Sequence, residues 1–148
     1  QIQFRTFTSA PFPGYDVCEQ PLEPEKWDII FLEQVLEHVP FPRRALMNLH
    51  AMLRPAGYLV VTTPFFIRVH NHPIDCTRWT EVGMKYLLAD SGFHVDAITT
   101  GSWGNRQCLI GSLDDWPSYN RYKLHSLTND PRFPVTVWAF AQKASAAR

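Results

Sequence analysis

The chain predicts an α/β fold, a sheet with helices packed on its faces. Three observations carry this. Asp28 to Leu32 and Tyr58 to Thr63 are short, nearly continuous apolar runs, the pattern of strands buried on both faces of a parallel sheet. Between them Ala45, Leu46, Leu49, Met52 and Leu53 recur at helical spacing and form one apolar face. Strand and helix in alternation imply helices stacked on a sheet.

The elements follow in order. Phe4 to Thr8 has the apolar content of a short strand, broken by Pro11, Pro13 and Gly14. Tyr15 to Cys18 is a second short apolar piece, and Pro21 and Pro24 bound a loop before Trp27. Pro42 stands where a helix would start, a favoured first helical position. Pro55 and Gly57 are expected to stop that helix ahead of the Tyr58 strand. A loop runs from Pro64 to Trp79. Thr80 then caps a helix through Ser91, with Leu87 and Leu88 inward and Gly92 past its end. His94 to Thr99 reads as a strand, Asn105 to Leu113 as helical, and Val135 to Ala141 as the last strand. No linker or repeat divides residues 1–148, so a single domain is expected.

Composition narrows the function. The chain has 45% hydrophobic and 19% charged residues, which excludes a disordered segment. Fourteen basic residues balance fourteen acidic ones, so charge gives no case for a nucleic-acid or anionic-membrane partner. No run approaches the roughly 18 apolar residues of a membrane span. Cys18, Cys76 and Cys108 are far apart and odd in number. They read as free thiols in a reducing compartment, and a cytoplasmic location is expected. The sequence does not begin with Met, which fits a processed chain or a piece of a longer reading frame.

Several motifs stand together. They are Asp28-Ile29-Ile30-Phe31-Leu32-Glu33-Gln34-Val35-Leu36-Glu37-His38-Val39, the turn Leu53-Arg54-Pro55-Ala56-Gly57, Thr63-Pro64-Phe65 with His70, Pro73, Asp75 and Arg78-Trp79-Thr80, and Gly92-Phe93. Over residues 15–141 this set resembles the class I S-adenosylmethionine-dependent methyltransferases, in particular their small type 11/12 domains. The resemblance implies a three-layer Rossmann-like sheet of order 3-2-1-4-5-7-6 with its last strand antiparallel. Strands 4, 5, 7 and 6 are assignable here, so the sheet is incomplete and its first strand is missing or replaced. The sequence holds no G-x-G-x-G, the loop that lets backbone approach the cofactor. Ala56 stands where the family has glycine, and φ is expected to stay negative there. In the family order strand 1 pairs with strand 4. Without it, Asp28 to Leu32 would be an open apolar edge. Either Phe4 to Thr8 folds back on it or a second chain pairs there, as in a homodimer.

Candidate site residues follow. Gln34, Glu37 and His38 come just after the carboxyl end of a strand, where open α/β sheets bind ligands. The resemblance places Asp16, Gln34 and Glu37 beside S-adenosylmethionine, His38 and His70 at the chemistry, and Phe65, Asp75, Trp103 and Arg106 around a small-molecule substrate. His38 has the intrinsic pKa of a general base at neutral pH. Alternatively, Glu37 and His38 only close the loop by bonding to backbone.

His70, His72, Asp75 and Cys76 are metal-ligand types in close sequence. Methyl transfer itself needs no metal, because the sulfonium is already electrophilic, and none is expected. Asp75 is instead expected to pair with Arg78 and pin the loop, with His70 lining the pocket. Trp103 is a pocket wall or core, and Arg106 an anion-binding or surface residue. Trp116, Tyr119 and Tyr122 cover the sheet or form a docking surface. Phe65, Leu87, Leu88, Val137 and Trp138 also read as core, and no cysteine has a base at readable spacing.

Two functions are open. One is methyl transfer from S-adenosylmethionine to an O, N or C nucleophile of a small molecule, the site being whole in this chain or completed by another. The other is a degenerate or truncated methyltransferase-fold domain that binds or assembles without catalysis.

Overall fold

A computed structural model describes residues 5–19, 21–113 and 126–146. Four strands, β1 (Trp27–Glu33), β2 (Leu53–Pro64), β3 (Ile98–Trp103) and β4 (Thr136–Gln142), form one sheet in the order β1-β2-β4-β3. β1 and β2 are parallel, and β4 runs antiparallel to both its neighbours. This is the expected order of family strands 4, 5, 7 and 6. The α-helices among the described residues are α1 (Pro42–Met52), α2 (Glu81–Asp90) and α3 (Arg106–Gly111).

Local chemistry explains the helix ends. Pro42 occupies the first turn of α1, where its missing N–H costs no helical bond. The Thr80 hydroxyl accepts from Gly83 N at 3.0 Å and caps α2. Gly92, at φ +111°, lets the chain leave that helix. The Asn105 side-chain oxygen accepts from Cys108 N at 2.9 Å and starts α3.

α1 and α2 share one core with one face of the sheet. Leu32, Leu59, Val61, Val137, Ala139 and Ala141 meet Leu46, Leu49, Met52, Met84 and Leu88 in a single buried cluster. Burying each large side chain there contributes about 1.5–3 kcal/mol. The strand residues between them point the other way. Phe31, Val60 and Phe140 lie in register across β1, β2 and β4. Phe31 and Phe140 are each 47% exposed, so this second face is only partly covered. Among the described residues no helix is long and apolar enough to cross a membrane.

Several expectations need correction. Phe4 lies outside the described residues, and residues 5–8 form no strand. Of the two covers expected for the outer edge of β1, the fold-back of this segment is therefore not seen among the described residues. Pro55 and Gly57 do not stop α1. It has already ended at Met52, and residues 54–57 bulge within β2, where the register jumps from Trp27↔Leu53 to Ile29↔Tyr58.

Ala56 sits at φ +63°, in the left-handed region, rather than at negative φ. The bulge forces that turn, and Ala56 N donates to the Lys143 carbonyl at 3.2 Å. The next strand begins at Ile98, because Val95–Ala97 first make a 3-10 turn capped by His94. Trp138 is only half-buried. It lies against Gly101 on the less covered face, where a side chain at 101 would fall within the indole.

Candidate functional site

A cleft of about 1080 Å³ runs along the outer side of β1. Its wall takes Ile29, Ile30, Phe31, Leu32, Glu33 and Gln34 in unbroken succession. Successive strand residues point to opposite faces, so the cleft wraps the strand edge itself. Phe7 and Tyr15 to Cys18 form the facing wall. The Asn48 side-chain amide holds this second wall on α1 by donating to the Val17 carbonyl at 2.7 Å.

Asp16 and Gln34 both line the cleft. Asp16 uses one carboxylate oxygen locally, accepting from Cys18 N at 2.8 Å. Gln34 takes a positive φ of +51° just past β1. Its backbone N–H donates to the Thr62 carbonyl at 2.9 Å and its side-chain amide to Thr62 Oγ1 at 3.2 Å. The chain therefore turns away from the sheet at the carboxyl end of β1.

The turn leads into a single 3-10 turn, Leu36–His38, which buries Glu37 completely and leaves His38 at the cleft wall. The loop after β2 is stitched to it: the Glu37 carbonyl accepts from Cys76 N at 2.7 Å. His38 Nδ1 is bonded to the Ile74 carbonyl. Its Nε2 lies 3.6 Å from Glu37 Oε1, and His70 Nε2 lies 3.9 Å from the same oxygen. The two imidazoles meet edge to face at 4.8 Å. Neither carboxylate oxygen of Glu37 has a hydrogen-bond partner. Burial pushes the Glu37 pKa up, opposed in part by its own nearby backbone N–H and then by the charges of His38 and Arg78.

Asp75 and Arg78 form a two-pronged ion pair, with Nη2 2.6 Å from Oδ2. Asp75 Oδ2 also accepts from His70 N at 2.9 Å and lies 3.2 Å from His70 Nδ1. Hydrogen bonds from Arg78 hold the Asp75 pKa at about 2. Asp75 thus fixes the His70 ring from behind. Burial lowers the His70 pKa, and the Asp75 charge opposes that shift.

The remaining candidates lie elsewhere. Phe65 packs at the margin of the main core and against Phe66. Trp103 packs with Cys108 and Val135 in a small separate cluster, and Arg106 is exposed at the start of α3. They share the carboxyl rim of the sheet but sit three strands from β1, roughly 14 Å at ordinary strand spacing. Trp116, Tyr119 and Tyr122 lie outside the described residues. Burial raises the thiol pKa of Cys18 and of Cys108, as expected of inert cysteines. Sequence proximity grouped His70 with His72 and Cys76, which are both exposed. The structure instead brings His70 to Glu37 and His38.

A family model described as a methyltransferase domain matches residues 3–99. Among curated proteins, a ubiquinone biosynthesis O-methyltransferase of Coxiella burnetii is 28% identical over 95 residues, covering 47% of this chain and 41% of the relative. Its namesake from Pseudomonas syringae is 28% identical over 87 residues, covering 59% of this chain and 32% of the relative. The chain thus spans less than half the length of either.

Among solved structures, the complex of the Haloferax volcanii Trm112 methyltransferase activator with a putative methyltransferase aligns at TM-score 0.60 and 17% identity, covering 90% of this chain and 61% of that one. An S-adenosylmethionine-dependent methyltransferase from Mesorhizobium loti aligns at TM-score 0.58 and 17% identity, covering 90% and 72%. At such identities these two likenesses show the fold.

Proposed function

Because the chain belongs to the class I S-adenosylmethionine-dependent methyltransferase family, we propose that it serves methyl transfer to a hydroxyl of a small molecule. The observation that carries this reading is the position of the cleft. It opens at the carboxyl end of β1 beside Gln34 and His38, where ligands of open α/β sheets bind. The O-methyltransferase relatives favour oxygen as the acceptor.

In this reading Asp16 and Gln34, which line the cleft, would hold S-adenosylmethionine beside β1, with Glu37 behind. The acceptor oxygen attacks the methyl carbon. The carbon–sulfur bond breaks, its electrons go to sulfur, and S-adenosylhomocysteine leaves as a neutral thioether. The acceptor's proton goes to a base. The candidate bases are His38, which lines this end of the cleft, and His70, which stands behind it outside the lining, 4.8 Å from the His38 ring, held by Asp75 and its partner Arg78. Phe65 shapes the acceptor side from the margin of the core. Trp103 and Arg106 stand farther along the rim and would meet only a long acceptor.

A second reading is favoured by one observation. Among the described residues no strand pairs with the outer edge of β1, which the cleft follows, so the cleft fits an added strand as well as a nucleoside. The chain would then be a module that binds through that edge, to a second copy or another segment, without catalysis. Incubation with labelled S-adenosylmethionine and hydroxylated aromatic acceptors separates the two. Label in the acceptor, with S-adenosylhomocysteine formed in equal amount, supports transfer. Absence of product, with a chain that dimerises in sedimentation, supports the module.

A further inference from the structure

We propose that Glu37, His38 and His70 form a binding site for one divalent first-row transition-metal ion, such as Zn²⁺ or Mn²⁺. Each offers one ligand atom, and the three atoms lie within 4.8 Å of one another. Two imidazoles and a carboxylate are the donor set that such ions prefer over Mg²⁺ or Ca²⁺.

Three features make this a built site rather than a chance cluster. Glu37 is wholly buried, and neither of its carboxylate oxygens has a hydrogen-bond partner. An uncompensated carboxylate in that position is costly unless a proton or a cation neutralises it. The Ile74 carbonyl engages Nδ1 of His38, so Nε2, 3.6 Å from Glu37 Oε1, is the nitrogen left to bind an ion. On His70, Asp75 Oδ2 stands 3.2 Å from Nδ1, while Nε2 faces Glu37. A carbonyl or carboxylate behind each ring is the arrangement that orients and strengthens metal-binding histidines.

The edges from Glu37 Oε1 to the two Nε2 atoms, 3.6 and 3.9 Å, are near the roughly 3.3 Å edge of a tetrahedron with zinc-like bond lengths. The widest separation, up to 4.8 Å, would have to shorten by about 1.5 Å on binding. The His38 and His70 side chains remain 17% and 13% exposed, which leaves the outer side of the site open to a further ligand. Arg78 is a fixed cation close to the site. Its guanidinium is engaged by Asp75, with Nη2 3.5 Å from His70 Nδ1 on the side away from Glu37. Binding of the ion does not depend on the methyl-transfer reading. Only its use does: there it would hold the acceptor oxygen beside the methyl group.

The test is calorimetric titration of the chelator-treated full chain with Zn²⁺, with Co²⁺ absorption as a second readout. One ion per chain is expected, with cobalt bands of a nitrogen–oxygen site. Glu37→Gln, His38→Ala and His70→Ala should each weaken binding by about 100-fold or more, and Asp75→Asn by about 10–100-fold. His72→Ala/Cys76→Ala should bind like the parent. Circular dichroism confirms folding, and His38→Gln and His70→Gln stand in for any variant that does not fold. Failure of the parent chain to bind 100 μM Zn²⁺, about the affinity floor of a functional site, overturns the proposal. So does binding that follows His72 and Cys76. S-adenosylhomocysteine binding is titrated separately, so loss of the methyl-transfer reading leaves this result standing.

Discussion

The two margins of β2 differ sharply. On one side β4 pairs with it over seven consecutive residues, Tyr58 to Pro64, and β3 then pairs with β4. On the other side β1 pairs with β2, but among the described residues its own outer edge meets only the cleft. Every apolar position on the inner face of β2 and β4 is fully buried, from Leu59 and Val61 to Val137, Ala139 and Ala141. On β1 only Leu32 is buried, and Phe31 is 47% exposed. The same kind of apolar strand therefore serves as core in one place and as the rim of a binding cleft in the other. Phe140 is as exposed as Phe31 although β4 is paired on both sides, so that exposure belongs to the less covered face. The β1 margin shows instead at Ile30, only half-buried on the inner face where β2 and β4 are sealed.

The largest consequence is in hydrogen exchange. Amides of Leu59 to Val61 should exchange only on global unfolding. The β1 amides that point to the open edge should exchange about a thousandfold faster or more. Amide exchange followed by NMR gives the ratio. Equal protection would mean that the edge is paired in solution, and a concentration dependence would identify a second copy as the partner.

Core substitutions sharpen the contrast. Leu59→Ala should lower stability by about 2–5 kcal/mol in urea unfolding. Phe31→Ala, at the half-exposed rim, should cost under about 1 kcal/mol. A Phe31 effect as large as that of Leu59 would mean that the outer face is covered. A smaller effect is expected at the bulge that joins the margins. Ala56 holds φ +63°, so Ala56→Gly should stabilise by about 1 kcal/mol, read as a rise in thermal midpoint. The smallest concerns Arg43 and Asp90, which tie α1 to α2 at 2.6 Å but are both exposed. Arg43→Ala should shift stability by no more than about 0.5 kcal/mol.

β1, β2 and β4 were legible on both margins. β2 and β4 announce themselves by β-branched, alternating apolar residues, and α2 by Thr80 and Gly92 at its two ends, because these signals are local. Ala56 gave no such signal: positive φ is usually marked by glycine, and alanine conceals it. The start of β3 was misplaced because His94 to Ala97 mimics strand alternation while forming a capped 3-10 turn. The trio of Glu37, His38 and His70 was hidden for a different reason. More than thirty residues separate its parts, and the link is a backbone bond from Cys76 to the Glu37 carbonyl. No side-chain pattern encodes that bond. Proximity in sequence pointed to His72 and Cys76 instead.

The account turns on the cleft beside β1 being a nucleoside-cofactor site. Calorimetric titration with S-adenosylhomocysteine tests this most directly. We expect binding with Kd below about 1 mM, weakened at least about tenfold, or 1.4 kcal/mol, by Asp16→Ala and by Gln34→Ala. No heat at millimolar ligand, or binding that neither substitution weakens, would contradict it.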